Sequence, residues 1–259
     1  MYYREAGSGP PLILIMGWCA NADWWPPAFA DPLAEHFRLI MPDNRGAGRT
    51  GGNSKGFSIK SASEDIVALM DALGIGKAHL IGVSMGGMIS QRLALDFPER
   101  VNRVVLACTT CGLPGGAPIG KEQFKLAWHY LTRRATRKRP YIANLLFTQP
   151  YMDREPGVAR EAIRRIAIAP ISRRAAWHQF KGIARFGVCR RLKKLQTPVL
   201  AITGRNDVML PARNSSILAR RIPNARAVIL DEAGHGFFHE AADRAVPVIL
   251  DFLRQEPAS

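Results

Sequence analysis

Six short apolar runs restrict this chain to a narrow choice of folds. Each run is continuous rather than alternating in polarity, and each is rich in Val, Ile and Leu. Such runs are typical of strands that are buried on both faces of a parallel sheet. The runs are LILIM (12–16), RLIMP (38–42), HLIGV (79–83), VVLAC (104–108), PVLAITG (198–204) and ARAVIL (225–230).

Helical patterns separate the apolar runs. One apolar stripe with helical spacing lies between residues 61 and 75, in a helix that we expect Ser63 to cap and Gly74 to end. A second helical pattern ends at Pro98, and a last one covers 243–255. Buried strands that alternate with helices predict an α/β fold with a mostly parallel, doubly wound sheet.

Residues 112–191 differ in composition from the chain on either side. Strand-like apolar runs are absent there, and helical patterns with scattered aromatic residues take their place. Of the 36 Lys/Arg and 21 Asp/Glu, residues 121–194 hold 19 and 4, so this segment accounts for the whole net charge of +15. We therefore predict a core over 1–111 and 192–259, interrupted by an inserted helical cap over 112–191.

The stretch Gly82-Val83-Ser84-Met85-Gly86 has the G-x-S-x-G pattern of a nucleophile elbow, and it lies between a predicted strand and a predicted helix. A serine hydroxyl needs an adjacent base, itself oriented by a third group, to act as a nucleophile. Reacting groups of open α/β sheets follow the carboxyl ends of strands. Asp207 and His235 each come just after a predicted strand. We therefore predict a catalytic triad of Ser84, His235 and Asp207, in the chain order Ser, Asp, His.

Each triad residue also has a plainer interpretation. Ser84 is alternatively an ordinary turn serine, although the glycines two positions before and after it are what a sterically tight strand-to-helix turn requires. Asp207 is alternatively a helix cap, and Asp231 and Glu232 are rival carboxylates shortly before the predicted base. His239, one helical turn after that base, is the rival histidine. The joint pattern favours the triad.

An acyl-transfer site also needs hydrogen-bond donors for the developing oxyanion. The candidates are the backbone N–H of Met85, directly after the serine, and that of Trp18, in the loop after the first predicted strand. Trp18 is alternatively a packing aromatic only. Six further aromatic residues are candidate walls of an apolar substrate pocket, or alternatively pack the cap against the core. They are Trp24, Trp25, Phe124, Trp128, Tyr141 and Trp177.

With these motifs in place, nearly the whole chain resembles α/β-hydrolase-fold enzymes of the esterase, lactonase and cofactor-free perhydrolase group. The matching segments are EAGSGPPLILIMGW, HFRLIMPDNRGAGRT, the stretch from Asp65 to Cys108, TPVLAITGRNDVMLP and AGHGFFHE. Two departures stand out. Met16-Gly17 replaces the His-Gly that often precedes the oxyanion donor, and the chain begins at what resembles the family's second strand, without the usual edge strand before it.

The resemblance implies hydrolysis of small to medium neutral carboxylic esters through an acyl-Ser84 intermediate. Dehalogenases and epoxide hydrolases of this fold attack with Asp, and its carbon–carbon bond hydrolases typically have Trp where this chain has Gly236. Lactone hydrolysis, as in the enol-lactonases, is the alternative, and perhydrolysis on the same triad is another. A different class of function stays open as well, in which the basic cap binds nucleic acid or an anionic membrane.

Cofactor motifs are missing from the sequence. Gly46-Ala47-Gly48 lacks the third glycine of a dinucleotide fingerprint, and a phosphate-binding Walker sequence does not occur. We expect no cofactor and no metal. The expected partner is a small ester or lactone, without nucleic acid or membrane, and the expected assembly is a monomer or a homodimer. A solvated, arginine-rich cap surface explains the charge most simply.

The four cysteines give little information about function. Cys108 and Cys111 form a C-x-x-C pair without the second pair that zinc requires, while Cys19 and Cys189 stand apart. We expect them to be small, packed thiols. The amino-terminal segment lacks the pattern of a signal peptide, and apolar stretches of about 20 residues are absent, so the sequence predicts a cytoplasmic protein.

Overall fold

One twisted sheet organises the protein, for which a computed structural model describes residues 1–52, 54–117, 121 and 139–255. The order of its described strands is β1-β3-β2-β4-β5-β6-β7, with β1 antiparallel to β3 and every other pair parallel. The strands are β1 Tyr3–Ala6, β2 Pro11–Ile15, β3 Arg38–Pro42, β4 Ala78–Val83, β5 Val101–Ala107, β6 Val199–Gly204 and β7 Ala225–Leu230. All six predicted strands are confirmed.

Helices cover both faces of the sheet, as a doubly wound fold requires. Side chains of α1, α9 and α10 pack on one face, and those of α2, α3 and α8 pack on the other. Among the described helices, none is long and apolar enough to cross a bilayer. We number the described α-helices α1 Pro27–Ala34, α2 Ile59–Ala72, α3 Met85–Asp96, α4 Arg139–Leu146, α5 Gln149–Arg154, α6 Pro156–Ile166, α7 Arg173–Ala184, α8 Arg213–Arg221, α9 Phe237–Glu240 and α10 Ala242–Arg254.

Helix α2 begins earlier than its apolar stripe suggests. The Ser58 hydroxyl accepts a hydrogen bond from the Ser61 backbone N–H at 3.0 Å, and the Ser61 hydroxyl accepts one from the Ser58 N–H at 3.1 Å. This reciprocal capping box makes Ser58 the cap, so the prediction of Ser63 is wrong. Ser63 is buried inside the helix and donates to the Lys60 carbonyl. Gly74, with φ of +67°, follows the end of the helix as expected.

A disulfide joins Cys111, just after β5, to Cys189, which lies 78 residues later. The prediction of packed free thiols is therefore wrong for this pair and right for Cys19 and Cys108, which are free and buried. The chain between the bonded cysteines contains α4 to α7, and the Val188 N–H donates to the Cys111 carbonyl where the chain returns. Sequence spacing did not reveal the pair because the fold brings the two ends of this excursion together.

Candidate active site

Ser84 lies on the sharp turn between β4 and α3, with φ of 56° and ψ of −115°. A non-glycine residue in this region carries strain of about 1–3 kcal/mol, which the surrounding structure must hold in place. A Cβ atom at Gly82 would lie 2.3 Å from the Gly86 carbonyl oxygen, and one at Gly86 would lie 2.0 Å from the Ile15 carbonyl oxygen. Both glycines of the motif are therefore required by close backbone approaches.

The carboxyl end of the neighbouring strand β5 holds this turn in place through two hydrogen bonds. The Ser84 N–H donates to the Ala107 carbonyl at 2.8 Å, and the Thr109 hydroxyl donates to the Ser84 carbonyl at 2.7 Å. A Cβ at Gly87 would come within 2.6 Å of the Thr109 side chain, so the packing there is tight. Thr109 was not among the predicted site residues, although its place just after a predicted strand was the available signal.

Asp207 and His235 form a buried pair after β6 and β7. The Nδ1 atom of His235 lies 2.8 Å from Oδ2 of Asp207, and the two residues are 3% and 7% exposed. The other carboxylate oxygen accepts the backbone N–H groups of Met209 and Leu210, both at 2.8 Å. A carboxylate held in this way keeps the imidazole proton on Nδ1 and leaves Nε2 as the basic nitrogen.

The rival residues have other surroundings. Asp231 is exposed and pairs with Arg205, away from the imidazole. His239 packs against the rings of Trp24 and Phe147 with centroid separations of 5.4 and 5.6 Å, and burial lowers its pKa to about 3. The helix-cap interpretation of Asp207 is also disfavoured, since α8 begins well beyond it at Arg213.

Cys108 is a buried thiol beside the carboxylate. Its Sγ, a carboxylate oxygen of Asp207 and a ring nitrogen of His235 lie within 4.8 Å of one another. Burial and then the charge of Asp207 raise the pKa of the thiol well above its ordinary value. A metal would need the thiolate and would break the Asp207–His235 hydrogen bond, so the group fits a neutral packing role better than a metal site.

The loop of residues 17–22 passes directly over Ser84. A Cβ built on Gly17 would lie 3.2 Å from the Ser84 Cβ. Two core side chains anchor this 17–22 loop: Asp43 accepts the Ala22 N–H at 2.7 Å, and Asn44 donates to the Met16 carbonyl at 2.8 Å. The N–H of Met85 heads α3, where backbone donors have no partner within the helix. Met85 directly follows Ser84 and Trp18 lines two cavities at Ser84, so the two residues predicted to supply the oxyanion donors lie beside the serine.

Two small apolar cavities meet at Ser84, with volumes of about 60 and 40 Å³. They share Trp18, Ser84 and Met209 and otherwise have separate walls. His235 lines the first cavity only, so Ser84 and His235 share that cavity and not the second. The other residues that line the first cavity are Gly17, Cys19, Ala20, Trp24, Val83, Ile142, Leu146 and Ile166. The other residues that line the second cavity are Met88, Phe180, Ile183 and Leu210.

The six aromatic residues predicted to line the substrate pocket do not share one location. Trp24 lines the first cavity, whereas Trp25 is 2% exposed, stacks on Phe29 and lines neither cavity. Trp177 is 39% exposed and stacks on Phe180 instead of facing the serine. Phe124 and Trp128 lie outside the described residues, and only the backbone of Tyr141, in α4, is described. The aliphatic residues of the cavity walls were not predicted, because their residue types are those of any hydrophobic core.

Comparisons with known proteins agree with this fold. A family model described as the alpha/beta hydrolase fold matches residues 10–119, and one described as TAP-like protein matches residues 176–257. BpoC of Mycobacterium tuberculosis, which carries the provisional name of a non-heme bromoperoxidase, is 30% identical over 261 residues, or 97% of this chain and 96% of that protein.

Solved structures show the same likeness. The enol-lactonase from Burkholderia xenovorans has a TM-score of 0.86 and 26% identity, and the match covers 98% of this chain and 96% of that one. A thermophilic esterase from Thermogutta terrifontis has a TM-score of 0.83 and 25% identity, with 98% and 92% covered. The chain belongs to the α/β-hydrolase fold family and is a hydrolase of that superfamily.

Proposed function

We propose that the protein is a serine carboxylesterase that hydrolyses short, neutral esters through an acyl-Ser84 intermediate. The observation that carries the proposal is the buried Asp207–His235 hydrogen bond, beside a strained serine in the same cavity. A strained strand-to-helix turn exposes a nucleophile, and an oriented imidazole is the base that a serine needs. Similarity to a solved esterase supports the same reaction class.

In this mechanism, Nε2 of His235 accepts the Ser84 hydroxyl proton as the oxygen attacks the ester carbonyl. The backbone N–H groups of Met85 and Trp18 stabilise the oxyanion. His235 then protonates the leaving alcohol, and the acyl group remains on Ser84. A water molecule, activated by the same imidazole, releases the acid and restores the hydroxyl. Asp207 holds the imidazole orientation and stabilises its charged form throughout.

Cavity size supports short substituents on the ester. A water molecule needs about 10–15 Å³ of the same kind of volume, so the cavities of about 60 and 40 Å³ suit groups of a few non-hydrogen atoms. Lys, Arg, Asp and Glu are absent from the described walls of both cavities. A charged substituent would lose its hydration there without gaining a partner, and this favours neutral esters.

Lactone hydrolysis is the second candidate, because the enol-lactonase structure is as close a match as the esterase. A panel of p-nitrophenyl esters of graded acyl length, measured beside simple lactones, separates the two functions. Ester turnover that falls steeply beyond short acyl chains supports the first proposal. Lactone turnover far above that of every ester would replace it.

The nucleophile is tested by Ser84→Ala, with Ser216→Ala on α8 as a matched control. We expect loss of ester turnover and of labelling by a fluorophosphonate in the first variant only, since the triad acts as a unit. Intact-protein mass identifies the labelled species, and a thermal melt shows that the fold is kept. Substantial turnover in purified Ser84→Ala would contradict the assignment.

A division into an α/β core over 1–111 and 192–259 and a cap over 112–191 is also part of the proposal, as is a monomer or homodimer without nucleic-acid partners. The disulfide argues against the predicted cytoplasmic location, because reducing compartments keep most thiols reduced. Alkylation of thiols in freshly lysed, denatured cells tests it. Four modified cysteines support the cytoplasm, and two indicate an oxidising compartment.

A further inference from the structure

The 17–22 loop is bonded to the cap as well as to the core. The Trp18 indole N–H donates to the Ala176 carbonyl at 2.9 Å. The Asn21 side-chain amide donates to the Ile166 and Ala169 carbonyls at 3.1 and 3.0 Å. In each of these bonds the loop is the donor and the cap is the acceptor. The loop that passes over Ser84 is thus shaped partly by helices α6 and α7 and the segment between them.

Gln179 of α7 makes a side-chain hydrogen bond from the cap to the backbone of this loop. Its side chain is 0% exposed. Its Oε1 accepts the backbone N–H of Cys19 at 3.4 Å, and its Nε2 donates to the carbonyl of Arg45 at 3.1 Å. The opposite amide orientation would set donor against donor and acceptor against acceptor, so the two bonds fix the orientation together. One buried amide therefore links the cap, the 17–22 loop and the loop after β3.

Cys19 is a residue whose backbone needs such support. Its φ of +64° lies in the left-handed region, which a residue with a side chain adopts only when its surroundings hold it there. The N–H that Gln179 binds belongs to the peptide plane between Trp18 and Cys19. Because that plane is rigid, its rotation changes the direction of the backbone at Trp18, one peptide away from the proposed oxyanion donor.

We propose that Gln179 is a positioning residue that keeps the Trp18 N–H aimed at the oxyanion. The oxyanion hole is then complete only while α7 is docked on the core. This inference rests on the proposed esterase function. Gln179 itself lines neither cavity and touches no reacting atom, so its effect acts through Cys19 and Trp18. Loss of an oxyanion donor costs about 10²–10³-fold in kcat, and a loosened donor costs less than a missing one.

The test is Gln179→Met, which keeps the length of the side chain and removes both hydrogen bonds. Gln149→Met is the matched control, because Gln149 is an exposed cap residue that bonds only Asp153 among the described residues. We expect kcat for a p-nitrophenyl ester to fall by about 10–100-fold in the first variant, while KM stays within about twofold. The control keeps wild-type values.

An oxyanion mimic distinguishes positioning from general damage. A trifluoromethyl ketone forms a tetrahedral adduct with an active serine, so its inhibition constant reports the oxyanion hole. We expect this constant to rise in Gln179→Met in proportion to the loss in kcat/KM, with an unchanged pH profile, because His235 and Asp207 are untouched. A loss of kcat without weaker ketone binding would overturn the inference.

Gln179→Glu is the second variant, and it decides the matter if Gln179→Met does not fold. Glutamate keeps an oxygen that accepts the Cys19 N–H and loses the donor to the Arg45 carbonyl. With one bond instead of two, the side chain holds the Cys19 N–H less firmly, so we expect kcat to fall by less than about 100-fold and ketone binding to weaken. Wild-type kcat and ketone binding in the folded variants would overturn the role of Gln179 alone. An inactive wild-type protein would instead overturn the proposed function.

Discussion

His235 and His239 lie one helical turn apart, and their surroundings give them opposite properties. His235 has a buried carboxylate that orients it, whereas His239 is enclosed by aromatic rings, and its Nε2 has no partner among the described residues. Spacing along the chain offered either as the base. The choice depends on where Asp207 lies, which is a property of the folded sheet edge.

His239, whose ring nitrogen Nε2 is buried, should make stability depend on pH. Its pKa of about 3 lies below the unfolded value of about 6.5. Between these values the unfolded chain binds a proton that the folded protein does not, so stability falls as pH drops below 6.5. By pH 5 the loss from this residue is about 2 kcal/mol.

The His239→Phe variant removes this effect and keeps an aromatic ring in place. Urea unfolding at pH 7 and pH 5 should show a difference smaller by about 2 kcal/mol in the variant than in the wild type. The half-buried His79, with a pKa of about 4, is common to both proteins and cancels in the comparison. His36→Phe, at an exposed position, serves as the control. Equal pH dependence in His239→Phe and the wild type would contradict the burial argument.

Asp207→Asn should lower kcat by orders of magnitude, by about 10⁴-fold if the effect matches that in a serine protease, because an amide favours the wrong imidazole tautomer. Asp231→Asn is the matched control, since its exposed carboxylate pairs with Arg205 and not with the imidazole. Initial rates with a short p-nitrophenyl ester measure both. A larger loss in Asp231→Asn than in Asp207→Asn would show that the wrong carboxylate was chosen.

Among the secondary-structure elements, those marked by one clear pattern of apolar residues were predicted correctly. Strands β2 to β6 follow from apolar runs because both of their faces are buried. Strand β7 was predicted from the same kind of run, although it lies at the sheet edge and only Leu230 in it is fully buried. Strand β1 was missed because it is short and its middle residues, Arg4 and Glu5, are exposed. It forms an edge strand through backbone pairing with β3, which leaves little trace in residue type. The disulfide was missed for a related reason, since only the fold brings its cysteines together.

The Cys111–Cys189 bond should contribute strongly to stability. It closes a 78-residue segment in the unfolded chain, and the loss of unfolded-state entropy for such a loop corresponds to about 4 kcal/mol. Replacing both cysteines by alanine should therefore lower the melting temperature by roughly 8 °C. A reductant should lower the melting temperature of the wild type toward that of the double variant and leave the variant unchanged. A wild-type melting temperature that ignores the reductant would contradict a stabilising bond.

At the scale of the whole molecule, the site is assembled from distant parts of the chain. The proximity of Ser84, Asp207 and His235, the proposed triad, was predictable because each residue follows a strand, and parallel strands place their carboxyl ends at one edge of the sheet. The cavity walls were not predictable. Ile142 and Ile166 come from cap helices, and the way these helices dock decides which of their apolar residues face Ser84. An apolar stripe on a helix predicts that one face is buried, but it does not predict which residues pack against that face.

The positions of the basic residues of the cap, relative to the cavities at Ser84, predict which substrates the protein prefers. Exposed basic residues of α6 and α7 such as Arg160, Arg164 and Arg174 line neither cavity at Ser84. The walls that meet the substrate are apolar, so a carboxylate on the acyl group would be desolvated there without a partner. We expect p-nitrophenyl butyrate to have a higher kcat/KM than the p-nitrophenyl monoester of succinate, which has a similar length and a free carboxylate.

Salt provides the control for this comparison. Exposed charges act over about 10 Å at 0.1 M salt and over much less at 1 M, so any attraction of anions by the cap would weaken across that range. We expect the preference for the neutral ester to persist with little change in kcat/KM from 0.05 to 1 M sodium chloride, because the discrimination arises in the cavities and not at the surface. A preference for the anionic ester that high salt removes would instead place the basic cap at the entrance, as an electrostatic guide for acidic substrates.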